Sequence, residues 1–171
     1  TAGPGDLAQT DATPAAGDAT NFADPKFKVG DMTGDRMDDV VMVRDGQVVL
    51  WEHNGNGDYE EPRAILNPPS GVGSQDVMIQ MGDLNNDGFD DVVVGAPGFD
   101  GTAGSNSGAA YVYYGGSGAF NPVADATMLG PAQAANMGAS VRGVGDVNND
   151  GFDDLAVGVS RYNPGGRPDQ G

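Results

Sequence analysis

An all-β array of short four-stranded units is the fold class this sequence predicts, and three observations carry the prediction. The 171-residue chain holds 29 Gly and 11 Pro, a composition suited to tight turns between short strands rather than to helices. Its apolar residues come in brief, mostly β-branched runs, Val40-Val41-Met42-Val43, Val92-Val93-Val94 and Leu155-Ala156-Val157, which read as buried strands. Each run follows a copy of one acidic nine-residue phrase, and the copies start at Asp31, Asp83 and Asp146, 52 and then 63 residues apart. Self-similarity at such a period marks a modular array.

Taken in order, residues 1–21 are mostly Ala, Thr, Gly, Pro and Asp without apolar periodicity, and they lack the basic and apolar regions of a signal peptide. A flexible N-terminal segment or linker is expected there. Repeats then cover about 22–70, 71–133 and, in part, 134–171. The first has an apolar lead-in at Phe27 to Val29, the acidic loop, a strand at Val40 to Val43 and an Asp45-Gly46 hairpin signal. Gln47 to Trp51 follows as a second strand, then an Asn54-Gly55-Asn56-Gly57 turn and a last strand near Ala64 to Leu66. The second has Val77 to Met81, its loop, Val92 to Val94 and a long Gly/Ser loop from Gly98 to Gly108. It continues with Ala109 to Tyr114, the turn Gly115-Gly116-Ser117-Gly118, and Thr127 to Leu129. The third starts at Met137-Gly138, runs through its loop to Val159 and stops in Arg161 to Gly171.

Four strands in about 55 to 60 residues, repeated head to tail, predict the antiparallel blades of a β-propeller, two complete and a third in part, or a related β array. Propellers close from about four blades upward, so this chain alone is not expected to close a ring. It reads as a fragment, or as a chain whose neighbours complete the array, and an unpaired strand edge invites pairing with another chain.

The acidic phrase carries the chemistry. Asp83-Leu84-Asn85-Asn86-Asp87-Gly88-Phe89-Asp90-Asp91 and Asp146-Val147-Asn148-Asn149-Asp150-Gly151-Phe152-Asp153-Asp154 differ at one position. Oxygen donors fall at positions 1, 3, 5 and 9, a carbonyl is available at 7, and Gly at 6 permits the sharp turn of a small cage. The expected Ca²⁺ ligands are therefore Asp83, Asn85, Asp87, Asp91 and the Phe89 carbonyl, and Asp146, Asn148, Asp150, Asp154 and the Phe152 carbonyl. Hard oxygen donors without His or Cys suit calcium, with affinity of about 10⁻⁴ to 10⁻³ M or tighter. An EF-hand would close with Glu at position 12, but Met42, Val94 and Val157 stand there and a strand follows instead of a helix. A third site is expected at Asp31, Thr33, Asp35, the Met37 carbonyl and Asp39, although Arg36 occupies the Gly position. There a Cβ is costly if φ is positive, and the guanidinium competes for the carboxylates. Asp38, Asp90 and Asp153, at position 8, are expected to point away from the ion.

The formal net charge of −17 excludes a generic nucleic-acid or anionic-membrane surface. Twelve of the 25 acidic residues lie in the three loops, four in each, so three divalent ions would bring −17 to −11. No apolar run approaches membrane-spanning length, and no Cys is present to form disulfides.

The pattern resembles the FG-GAP, or VCBS-type, repeats of integrin α-subunit-like proteins. In these a Phe-Gly pair precedes an Asp-x-Asn-x-Asp-Gly-x-x-Asp loop and Gly-Ala-Pro follows the next strand. Gly95-Ala96-Pro97 matches outright and Met137-Gly138 takes the Phe-Gly place; Gly158-Val159-Ser160, Ser74-Gln75 and Phe22-Ala23 depart from it, and the first repeat lacks Gly-Ala-Pro. The resemblance covers roughly 22–171. It implies β-propeller blades, calcium in the loops between strands, an extracellular, secreted or cell-surface setting, and binding by variable loops, here Gly98 to Gly108.

The expected function is a calcium-stabilised extracellular binding or adhesion module, its ligand a protein or glycan. Alternatives are a structural subunit of a secreted assembly joined through β edges, and a non-catalytic domain of a secreted enzyme. Trp51, Tyr111, Tyr113 and Tyr114 could stack on a sugar, although aromatics on blade strands usually serve packing. Catalysis finds no support: His53 is the only histidine, and no nucleophile elbow, phosphate-cradling loop with Lys or Rossmann fingerprint occurs.

Overall fold

Val92, Val93 and Val94 are all buried, although successive side chains of a strand point to opposite faces. Their strand is therefore covered on both sides. The computed structural model describes residues 27–44, 47–66, 77–118 and 120–162, and the expected 1–21 linker lies outside them. Ten strands form: β1 (Phe27–Gly30), β2 (Asp39–Arg44), β3 (Gln47–Trp51), β4 (Arg63–Leu66), β5 (Met78–Gly82), β6 (Asp91–Ala96), β7 (Ala109–Tyr113), β8 (Ala126–Leu129), β9 (Met137–Gly145) and β10 (Asp154–Val159). No helix occurs among the described residues.

Strands β1 to β4 make one antiparallel four-stranded meander, β5 to β8 a second, and β9 pairs with β10. The two complete units share one register. Val40 stands between Val29 and Trp51, and Val92 between Met81 and Tyr113. These are the blades of a β-propeller, as the repeat length predicts.

Alternation along each strand divides the apolar residues between two interfaces. Val41, Val48, Leu50 and Ile65 of the first blade meet Val77, Ile79, Val92, Val94 and Tyr113 of the second. Val93, Ala110 and Val112 face the other way, onto Val141, Leu155 and Val157 of the third. Glu52 ties the first seam further, pairing with Arg63 and accepting the Phe120 N–H at 3.3 Å. Leu50 has no exposed surface. Leu50→Ala is therefore expected to cost about 2–5 kcal/mol, read as a lowered urea midpoint.

The second seam also explains two sequence words. A Cβ on Gly95 would run into the Gly138 carbonyl, and one on Gly138 into the Ala109 carbonyl. Gly138 in addition holds φ at +85°, where a side chain is strained. Gly95-Ala96-Pro97 and Met137-Gly138 are thus two sides of one backbone contact. Ser74-Gln75 and Phe22-Ala23, which depart from the Phe-Gly word, lie outside the described residues.

The Gly98 to Gly108 segment is an ordered platform. Gly108 N–H donates to the Phe99 carbonyl at 3.0 Å, and Asn106 N–H to Asp100 Oδ1 at 2.7 Å. Carbonyls of Ser105, Asn106 and Ser107 accept the N–H groups of Ala134, Asn136 and Met137. Asp100, Thr102, Ser105 and Asn106 remain exposed.

Candidate metal-binding loops

Each acidic loop closes on its own first and last carboxylates. In the second loop Asp83 accepts the N–H of Asp87 at 3.1 Å and of Gly88 at 3.0 Å. In the third, Asp146 accepts those of Asp150 and Gly151 at 3.1 and 2.9 Å. Asp31 takes the equivalent N–H of Arg36 at 2.8 Å and that of Gly34 at 2.6 Å. These turns need a left-handed residue at positions 4 and 6. Asn86 and Asn149 with Gly88 and Gly151 supply it in two loops, and Gly34 with Arg36 in the first. Arg36 adopts φ of +67°, a strain of about 1–2 kcal/mol for a non-Gly residue.

The expected competition from Arg36 is not found: its side chain makes no ion pair with a described carboxylate. A cost does fall on Gly34, because a Cβ there would overlap the Phe89 ring of the next loop.

Position 9 does more than close a cage. Asp91 Oδ2 accepts Leu84 N–H at 2.8 Å and Asn85 N–H at 3.3 Å, while its Oδ1 accepts Gly115 N–H, at the end of β7, at 2.9 Å. Asp39 repeats the clamp with Met32 N–H at 3.0 Å and His53 N–H, beyond β3, at 2.9 Å. Both carboxylates have no exposed surface. Asp154 takes Val147 N–H at 2.9 Å, but only the Asn148 amide, at 3.5 Å, approaches its Oδ1, and it stays half-buried.

Position 8 of the second loop turns to its neighbour. Asp90 Oδ2 accepts Asp31 N–H at 3.1 Å, and Asp90 N–H donates to the Asp31 carbonyl at 2.9 Å. It stitches two loops together. Asn86 Nδ2 makes the next stitch, to the Gly151 carbonyl at 2.7 Å. All three loops therefore stand side by side. Asp90, Gly115 and the stitch from Asn86 were not singled out from the sequence as parts of this site. The register could have indicated Gly115, which follows β7 as His53 follows β3.

Burial pushes the carboxyls of Asp39, Asp90 and Asp91 above the ordinary 3.8, against the pull of their backbone hydrogen bonds. Neighbouring Asp31 and Asp35 add to the rise at Asp39, and Asp87 at Asp91. Asp146 is exposed and lowered, chiefly by the Gly151 N–H. The signs give opposite pH windows. A raised carboxyl costs stability when ionised, so in chelator the urea midpoint is expected to rise as pH falls from neutrality toward 3.8. Asp146 contributes above 3.8, and that contribution is lost at lower pH. A midpoint that falls steadily from neutrality downward contradicts the assignment.

Among the described residues no three Asp, Glu or His side chains stand in a ready-made cage. The structure instead gathers Asp83, Asn85, Asp87 and Asp91 in one loop, Asp146, Asn148, Asp150 and Asp154 in another, and Asp31, Thr33, Asp35 and Asp39 in the first. Asn85 Nδ2 donates to Asp87 Oδ2 at 2.8 Å, and Asn148 Nδ2 to Asp150 Oδ2 at 3.0 Å.

Sugar stacking by the strand aromatics is largely ruled out by position, since Trp51 and Tyr113 are each 1% exposed. Tyr111 is half-buried against Phe99, edge to face, and only Tyr114 is exposed. The Asn54 to Asp58 segment is a turn, as its hairpin signal predicts, with Asn54 N–H on the Asp58 carbonyl at 2.9 Å.

A model of an FG-GAP-like repeat matches residues 31–94, and one of an FG-GAP repeat matches 79–113 and 137–171. The chain belongs to the FG-GAP repeat family. Integrin alpha-3 of Mus musculus is 37% identical to this FG-GAP chain over 117 residues, 67% of the chain and 11% of the relative. Integrin alpha-6 of Homo sapiens is 34% identical over 114 residues, 67% and 10% respectively. Integrin alpha-2 of Mus musculus is 34% identical over 103 residues, 56% and 8%. The FG-GAP chain thus spans about a tenth of the length of these curated relatives. No helix among its described residues is long and apolar enough to cross a membrane.

Proposed function

We propose that this chain is a calcium-stabilised, extracellular, non-catalytic binding module whose propeller blades present loops to a protein or glycan ligand. The observation that carries the reading is the triple loop. Asp31, Asp83 and Asp146 each wrap a turn rich in oxygen donors, and no basic side chain among the described residues neutralises it. Oxygen-only donors fit Ca²⁺ better than a transition metal. A carboxylate that accepts an N–H keeps lone pairs for an ion, so the backbone clamps and the metal are compatible.

Asp83, Asn85, Asp87, Asp91 and the Phe89 carbonyl would hold one ion. Asp146, Asn148, Asp150, Asp154 and the Phe152 carbonyl would hold a second, and Asp31, Thr33, Asp35, Asp39 and the Met37 carbonyl a third. Bound there, a divalent cation supplies positive charge that relieves carboxylate repulsion; it supplies no reaction. The exposed tips of Gly98 to Gly108 are the candidate ligand surface, held ready by the bonds to Ala134, Asn136 and Met137. Integrin alpha relatives support the cell-surface, adhesive setting. Calorimetric titration of the 171-residue chain with Ca²⁺ tests the metal assignment: two or three sites are expected, and absence of binding heat at millimolar calcium would overturn it.

A further inference from the structure

The turn Asn54-Gly55-Asn56-Gly57 writes one dipeptide twice, and the fold places the two copies in different surroundings. In an Asn-Gly pair the glycine nitrogen can attack the asparagine side-chain carbonyl, because glycine has no Cβ to hinder the approach and reaches the needed backbone angles. At the first copy both groups are occupied. Gly55 N–H donates to His53 Nδ1 at 3.1 Å, and Asn54 Oδ1 accepts Asn56 N–H at 2.9 Å. At the second copy neither is held: Asn56 and Gly57 are exposed, and neither the Asn56 side chain nor the Gly57 N–H has a hydrogen-bond partner among the described residues.

We infer that Asn56 is a site of spontaneous deamidation and isoaspartate formation, and that the fold protects Asn54. Gly57 N loses its proton and bonds to Asn56 Cγ; the Cγ–Nδ2 bond breaks and the side-chain nitrogen leaves as ammonia. Water then opens the resulting succinimide at either carbonyl, leaving aspartate or isoaspartate. The product adds a negative charge to the hairpin that walls an open cleft of about 610 Å³ with Thr33, Asp35 and Glu60. Isoaspartate also lengthens the main chain inside the turn closed by Asn54 N–H on Asp58 and by the His53–Tyr59 bridge.

The test is incubation of the 171-residue chain at mildly alkaline pH, followed by tryptic digestion. Both asparagines then lie on the peptide Asp45 to Arg63, and fragmentation locates the mass gain of an amide turned to acid. Conversion is expected several-fold faster at Asn56 than at Asn54, with the two rates converging in strong denaturant. His53→Ala frees Gly55 N–H and is expected to raise conversion at Asn54, while Asn56→Gln removes the main product. Equal rates in the folded chain, conversion first at Asn54, a preference that persists in denaturant, or no effect of His53→Ala each overturns the inference.

Discussion

Asp91→Ala is expected to lower the unfolding free energy by about 3 kcal/mol or more. The carboxylate is fully buried and accepts three backbone N–H groups, from Leu84, Asn85 and Gly115. Removing it leaves those donors without their acceptor, at about 1–3 kcal/mol for each one that stays buried and unsatisfied. Against a total stability of about 5–15 kcal/mol, this is enough to populate the unfolded chain. Asp154→Ala is the control. It occupies the same position of a nearly identical loop, but it is half-buried and takes one backbone N–H, from Val147. Its cost is expected to be about 1 kcal/mol. Urea unfolding in chelator, followed by fluorescence of the single tryptophan, separates the backbone role from any metal role. Equal losses for the two variants would show that position 9 does not act through these hydrogen bonds.

Calcium removal is expected to have a comparable effect by another route. An ion at about 100 times its dissociation constant stabilises the folded chain by about 2.7 kcal/mol per site. For a chain of this size, about 1 kcal/mol moves the melting temperature by about 2–4 °C. Two occupied loops therefore predict a drop of about 10–20 °C when EDTA replaces calcium. Asp83→Ala should remove part of that difference while leaving the third loop's share. Identical melts with calcium and EDTA would dismiss the metal from the fold.

Much of the architecture was legible because local patterns and global structure agree. The expected strand at Gln47 to Trp51 is β3 without change, and Val92 to Val94 lies wholly inside β6. The turn at Asn54 forms where its glycines indicate. Positions 4 and 6 of the loops were legible in part: Gly88 and Gly151 announce a positive φ, whereas Arg36 adopts one against its own preference. Alignment of the loops puts Arg36 in the Gly place, and the Asp31 clamp holds that conformation there. The aromatic residues were ambiguous in sequence because a strand aromatic can face a neighbour blade or solvent. Only the packed structure decides between them: Tyr113 is buried between the blades, Trp51 is buried with Phe27, Val40 and Val49 of its own blade, and Tyr114 is left exposed.

By itself the sequence determined the repeat, the oxygen-donor set of each loop and the strands that follow, because these depend on residues within a few positions of each other. The tertiary structure alone decided that Asp39 and Asp91 are buried clamps, and that Asp90 binds the loop before its own. Those outcomes depend on backbone N–H groups brought in from elsewhere, from β3 and β7 for the clamps and from a loop 59 residues away for Asp90. A carboxylate's identity is written in the chain, but its partners depend on how the strands pair within a blade, for Asp39 and Asp91, and on how neighbouring blades meet, for Asp90.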